Sequence, residues 1–190
     1  MTGRAGDEAD ALTLDLGPAF RRPAAAPAPG GGSARPDRAR PDGARPGGID
    51  EVVVNVDGGS RGNPGPAGIG AVVQAPDGTV LAEIAEGIGR ATNNVAEYKA
   101  MIAALKRAGE LGARRVTARA DSKLVIEQLR GAWKVKHPDL KGLWAEARRL
   151  ANGFDRVTWQ HVPRERNRAA DALANRAMDD QARTPRAGRG

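Results

Sequence analysis

From Ile49 onward the apolar residues of this chain fall at regular periods. Val52, Val54 and Val56 alternate with Val53, Asn55 and Asp57, the period of two that predicts a strand. The run GGSRGNPGPAG that follows is dense in Gly and Pro and reads as a turn. Residues 68–74 and 79–88 form a hairpin around Pro76, Asp77 and Gly78. From Asn93 to about Ala108 the spacing turns helical, with Met101, Ile102, Leu105 and Ala108 on one face, and Gly109 or Gly112 stops the helix. A strand at Arg115–Ala120 and a helix at 122–130 ending at Gly131 come next. Residues 139–152 form a helix carrying Leu140, Leu143, Trp144, Ala147 and Leu150; 157–162 form a strand and 167–178 the last helix. The order βββαβααβα predicts an α/β fold with a mixed sheet: three strands antiparallel through hairpins, then two reached by helical crossovers.

The ends differ in character. Residues 1–48 hold seven Pro, nine Gly and eleven Ala but few large apolar side chains, so a disordered extension is expected there. A short helix around Ala9–Leu16 is the one regular element its pattern allows. Residues 49–180 form the expected folded domain and 181–190 a flexible tail. Cysteine is absent, which excludes disulfides and thiolate zinc sites. With two histidines, His137 and His161, an imidazole-rich site is also excluded, so any metal is held by oxygen, the preference of Mg²⁺ and Mn²⁺. No apolar run approaches about 18 residues, so no membrane span is expected. Asp7, Glu8, Asp10 and Asp15 near the start argue against a leader peptide, and a cytoplasmic location is expected. The formal charge is +7. Such an excess suits a polyanionic partner, and a basic compositional bias explains it equally well.

Four acidic residues sit at junctions of the pattern: Asp57, Glu97, Asp121 and Asp171. Each has an ordinary explanation. Asp57 can cap the turn at Gly58 and Gly59. With Asn94 as N-cap, Glu97 stands at N3 of a capping box. Asp121 can cap the helix at 122–130. Asp171 suits the positive end of the last helix. Each also stands where chemistry can be placed. Strand ends are where open α/β sheets bind ligands. The glycines after Asp57 admit another backbone, and Ala169, Ala170, Ala172 and Ala174 leave room for Asp171 to approach the sheet. The four are far apart along the chain, so only the fold can unite them. United, they repel, and divalent cations are the usual remedy.

Taken together, four segments resemble one family. DGGSRGNPGPAGIGAV, TNNVAEYKAMIAAL, ADSKLVIEQL and NRAADALANRAM resemble, in order, the first hairpin, the central helix, the fourth strand with its helix, and the last helix of type 1 ribonuclease H, which cuts the RNA strand of RNA–DNA hybrids. The resemblance runs from about Val52 to Met178. It implies a ribonuclease H-like five-stranded mixed sheet flanked by helices, with Asp57, Glu97, Asp121 and Asp171 as the catalytic acids. These would hold two ions, Mg²⁺ or Mn²⁺, and give products with 3′-hydroxyl and 5′-phosphate ends. Asn63, Asn93 and Asn94 match residues that touch the minor groove and the 2′-hydroxyls. Thr92 matches a phosphate contact, and Ser122 follows the third acid as the family pattern expects. The implied partner is an RNA–DNA hybrid bound by a monomer.

Two features depart from the longer family members. The loop before the last helix is the short HVPRERN, and its His161 falls within the expected strand; Glu165 or Arg164 is left to fill the role of a loop histidine. A long basic protrusion is reduced to 131–138, where Trp133, Lys134 and Lys136 form a small aromatic and basic contact or Trp133 packs inward. Both departures resemble a shorter subgroup, some of whose members accept double-stranded RNA. Three other readings stay open at this point: a nucleic-acid-binding module with weak or no turnover, a related nuclease acting on double-stranded RNA or junctions, and a purely structural α/β domain.

Overall fold

The computed structural model describes residues 49–183. The disorder expected for 1–48, the short helix around Ala9–Leu16 and the tail beyond Arg183 lie outside those residues. The elements are β1 (Glu51–Ser60), β2 (Gly65–Gln74), β3 (Val80–Ala91), α1 (Asn93–Glu110), β4 (Arg115–Ala120), α2 (Lys123–Arg130), α3 (Pro138–Ala151), β5 (Arg156–His161), a short 3₁₀ turn (Arg164–Arg166) and α4 (Arg168–Arg183).

They build a five-stranded sheet in the order β3-β2-β1-β4-β5. β1 pairs antiparallel with β2 and parallel with β4, β2 pairs antiparallel with β3, and β4 pairs parallel with β5. The mixed sheet is the one the element order predicts. β1 is its centre, and Val52, Val54 and Val56 are fully buried against α1, whose Tyr98, Met101, Ile102 and Leu105 complete the core with Leu129 of α2 and Leu140 of α3.

The glycine-rich run after Asp57 is mostly strand. β1 continues to Ser60 and β2 starts at Gly65, which leaves a tight connection where a long turn was expected. The glycines serve close approach. A Cβ on Gly58 would lie 2.2 Å from the carbonyl carbon of Ala96 and 2.3 Å from Glu97 N, both in α1. A Cβ on Gly70 would lie 2.1 Å from Ala170 O, and one on Gly68 2.8 Å from Ala174 O, both in α4. Gly58 and Gly59 alternate along β1, and the Cβ of Gly59 would meet Met178 of α4, so α1 and α4 press on opposite faces of the sheet.

Three helix starts differ from expectation. Thr92, not Asn94, caps α1, its Oγ1 accepting from Val95 N at 3.3 Å. Glu97 is therefore past the first turn and makes no capping box. Ser122 occupies the N-cap position of α2, so Asp121 is not the cap. α3 starts at Pro138 behind His137, whose Nδ1 accepts from Asp139 N at 3.3 Å. At the other end, α4 runs on past Met178 to Arg183. Gln181 holds it there: its Oε1 accepts from Gly89 N at 2.7 Å and its Nε2 donates to Gly89 O at 3.3 Å.

A pair of glycine substitutions checks this packing by chemical denaturation. Gly58→Ala drives a methyl into helix backbone and is expected to cost about 3 kcal/mol or more. Gly142→Ala, inside α3 with open space around its Cβ position, is expected to stabilise by about 0.5–1 kcal/mol. Equal effects of the two would contradict the close approach of β1 and α1.

Candidate active site

Each carboxylate arrives by a different element. Asp57 sits within β1, opposite Gly70 of β2. Glu97 lies one turn into α1 and is brought to the strand because Gly58 has no side chain. Asp121 follows the last residue of β4, beside β1 in the parallel pair. One oxygen from each of Asp57, Glu97 and Asp121 lies within 4.8 Å of the others. Asp57 is 8% and Glu97 6% exposed.

The electrostatics follow from burial and crowding. Burial, then the charges of Asp121 and Asp171, push the Asp57 carboxyl up to about 7. Burial, then the charges of Asp57 and Asp121, push Glu97 up to about 9, against a hydrogen bond donated by Gly58 N–H. Glu97 Oε2 is buried without a hydrogen-bond partner. An unpartnered buried carboxylate oxygen beside two more carboxylates is a donor set made for a hard cation. All the donors are oxygen, as Mg²⁺ and Mn²⁺ prefer, so the residues fit a divalent ion.

Asp171 lines the same cleft, of about 470 Å³, but stands apart from the trio. Its Oδ1 accepts from Arg164 Nη2 at 2.7 Å and its Oδ2 from Asn175 Nδ2 at 3.2 Å. Arg164 reaches in from the 3₁₀ turn of the HVPRERN loop and is itself held charged by Asp171. It also lowers the pKa values of Asp57 and Glu97, though more weakly than burial raises them.

Asn167 is the functional residue that sequence reasoning passed over. It is 1% exposed, and its Nδ2 donates to Val56 O at 2.8 Å and to Asp121 Oδ1 at 3.4 Å. It thereby ties the start of α4 to β1 and orients Asp121. The signal was an amide one helical turn before Asp171, at a helix start, where Asn usually caps. His161 ends β5, inside the strand as expected, and is exposed there. Its Nε2 lies 3.1 Å from Asp121 O, a contact that its place in the sequence did not reveal.

Of the expected substrate contacts, all but Asn63 and Thr92 line two hollows. Asn93 and Ser122 line the carboxylate cleft, and Asn63 Oδ1 accepts from Asn93 N at 3.2 Å. Asn94, Trp133, Lys134 and Lys136 line a second groove of about 540 Å³. The hydroxyl of Thr92 is engaged as the α1 cap. Trp133 does not pack inward: it is 47% exposed, with Lys123 Nζ 5.9 Å from its ring centroid.

Residues 55–177 match the model of a family described as reverse transcriptase-like. The bifunctional protein Rv2228c of Mycobacterium tuberculosis is 58% identical over 135 residues, 70% of this chain and 37% of that protein. This chain thus spans well under half the length of that relative. The solved N-terminal RNase H domain of Rv2228c, a fusion with maltose-binding protein, superposes with a TM-score of 0.67 at 59% identity, covering 68% of this chain and 99% of that one. RNase H1 from the halophilic archaeon Halobacterium salinarum gives 0.67 at 52% identity, covering 68% and 98%. LC11-RNase H1 in complex with an RNA/DNA hybrid gives 0.66 at 40% identity, covering 69% and 99%. Among the described residues no helix is long and apolar enough to cross a membrane.

The raised carboxyls give a pH test. Folded pKa values above the ordinary 3.8 and 4.5 mean that the folded chain binds more protons than the unfolded one. Their stabilising contribution is complete below the unfolded values and is lost as pH rises through about 7 and about 9. Metal-free protein should therefore lose stability from about pH 5 to about pH 9, at up to about 1.4 kcal/mol per pH unit for each titrating group. Glu97→Gln should flatten the fall. Thermal melts in chelator check this; stability that rises over the same range would contradict the shifts.

Proposed function

Since the chain belongs to the ribonuclease H family, we propose that it is a metal-dependent endonuclease that hydrolyses the RNA strand of RNA–DNA hybrids to 5′-phosphate and 3′-hydroxyl products. The observation that carries the reading is the cluster of buried Asp57 and Glu97 with half-buried Asp121, oxygens within 4.8 Å of one another and Glu97 Oε2 unpartnered. The hybrid held by LC11-RNase H1 supports the choice of substrate.

Asp57, Glu97, Asp121 and Asp171 would hold two divalent ions, Mg²⁺ or Mn²⁺, and such ions, when bound, would supply Lewis-acid chemistry at the scissile phosphate. Asp57, Glu97 and Asp121 would offer their clustered oxygens as ligands, and Asp171 would add its carboxylate from the same cleft. Gly58 N–H orients Glu97, and Asn167 orients Asp121. Arg164 keeps Asp171 turned toward the cleft and places a positive charge at its mouth, where a phosphate arrives. No protein nucleophile is required.

Specificity rests on the side-chain amides of Asn63, Asn93 and Asn94, which can donate to and accept from a 2′-hydroxyl, the group that separates RNA from DNA. Trp133, Lys134 and Lys136 grip the other strand through its phosphates, and sequence preference is slight because such contacts carry little base information.

Cleavage of labelled hybrid with Mg²⁺ or Mn²⁺ tests the reading. Asp57→Asn should lower the rate about a thousandfold, the equivalent of about 4 kcal/mol of transition-state stabilisation, while the fold and hybrid binding persist. Loss of fold in that variant would support a purely structural Asp57, and cleavage undiminished by chelator would end the metal reading. Hybrid affinity should fall steeply with salt, and a flat response would contradict phosphate-dominated binding.

A further inference from the structure

The connection between α2 and α3 is irregular, yet it carries Trp133, Lys134 and Lys136. The C-terminal end of α2 anchors it. Ala132 N and Trp133 N both donate to Glu127 O, at 2.9 and 3.1 Å. From α3, Trp144 Nε1 donates to Gln128 O at 3.1 Å and Arg148 Nη1 to Leu129 O at 2.9 Å. These bonds fix where the connection begins and how α3 leans on α2. They do not reach Lys134.

Gln128 does. Its side chain is 6% exposed and lies between two helices and the connection. Oε1 accepts from Tyr98 Oη at 2.7 Å, and Nε2 donates to Lys134 O at 3.3 Å. Tyr98 is fully buried and follows Glu97 in α1. The amide has one workable orientation: reversed, Oε1 would face the Lys134 carbonyl, acceptor against acceptor. Gln128 also lines the groove shared by Asn94 of α1 and by Trp133, Lys134 and Lys136.

We propose that Gln128 is a positioning residue for nucleic-acid binding: its amide ties Tyr98, the neighbour of Glu97, to the Lys134 carbonyl, and so sets the spacing between the carboxylate cleft and the Trp133–Lys136 wall of the second groove. This rests on the reading of the chain as a hybrid nuclease. A strand that engages both hollows feels their spacing. If the tie is cut, the wall moves relative to the cleft while the carboxylates keep their own supports in β1, α1, β4 and α4. Binding weakens and the chemical step does not change, which appears as a higher KM at constant kcat.

Gln128→Met keeps the length of the side chain and loses both hydrogen bonds. It is measured in the full chain on an RNA–DNA hybrid, alone and in a background carrying Trp133→Ala, Lys134→Ala and Lys136→Ala. The expected result is a KM raised about five- to tenfold, as for one or two lost hydrogen bonds, with kcat within about twofold. In the triple background the same substitution should add nothing, because the wall it positions has lost its contacts. An unchanged KM, a fall in kcat instead, or the same rise in the triple background overturns the proposal. If Gln128→Met does not fold, Tyr98→Phe carries the test: it removes one bond and keeps the packing. It should raise KM about two- to threefold, again only where the wall is intact, and an unchanged KM overturns the proposal. A wild-type chain that cleaves no hybrid at any metal concentration is a different outcome, which overturns the functional reading itself.

Discussion

Negative charge held in a nearly dry place governs this structure. Asp57 and Glu97 are buried, Asp121 stands beside them, and Asp171 closes the cleft. Unfolded, the four acids lie far apart and ionise freely. Folded, Asp57 and Glu97 are pushed by burial and by their acidic neighbours either to keep protons or to gain cations. Arg164 meets part of that demand from outside, but it is largely exposed and pairs with Asp171, not with the deepest oxygens. Glu97 Oε2, the oxygen left without a partner, marks where the demand is greatest.

Bringing the acids together requires helices to touch the sheet backbone to backbone. Gly58 lets α1 deliver Glu97 next to Asp57. Gly68 and Gly70 let α4 settle on β2 through Ala170 and Ala174, which carries Asp171 to the cleft. Larger residues at these positions would push each helix outward and separate the oxygens. The site therefore depends on atoms that are missing from the side chains as much as on the carboxylates. Asn167 adds the remaining constraint, linking α4, β1 and Asp121 through one buried amide.

Much of this could be read from the sequence. The valine alternation of β1 and the apolar face of α1 marked the central strand and its covering helix, and the order of elements predicted the mixed sheet. The four acids stood out at element junctions. What misled was local chemistry that serves two purposes. The glycines after Asp57 look like turn residues, but they extend two strands and admit helices. Asn94 with Glu97 imitates a capping box, although Thr92 provides the cap. Trp133 looked equally suited to packing or contact, and only the fold shows it exposed. The Gln128 bridge joins residues that no periodicity links, and Asn167 resembles an ordinary helix start until its buried partners are known.

The central claim is that these carboxylates form a cation site because the fold crowds them. Calorimetric titration of Mn²⁺ into metal-free protein near pH 7, repeated in buffers of different ionisation enthalpy, measures it most directly. Cations must displace the protons that crowding retains, so binding should release protons, and the release should shrink in Glu97→Gln. Metal binding with no proton release, or no binding at all to a folded chain, would contradict the account.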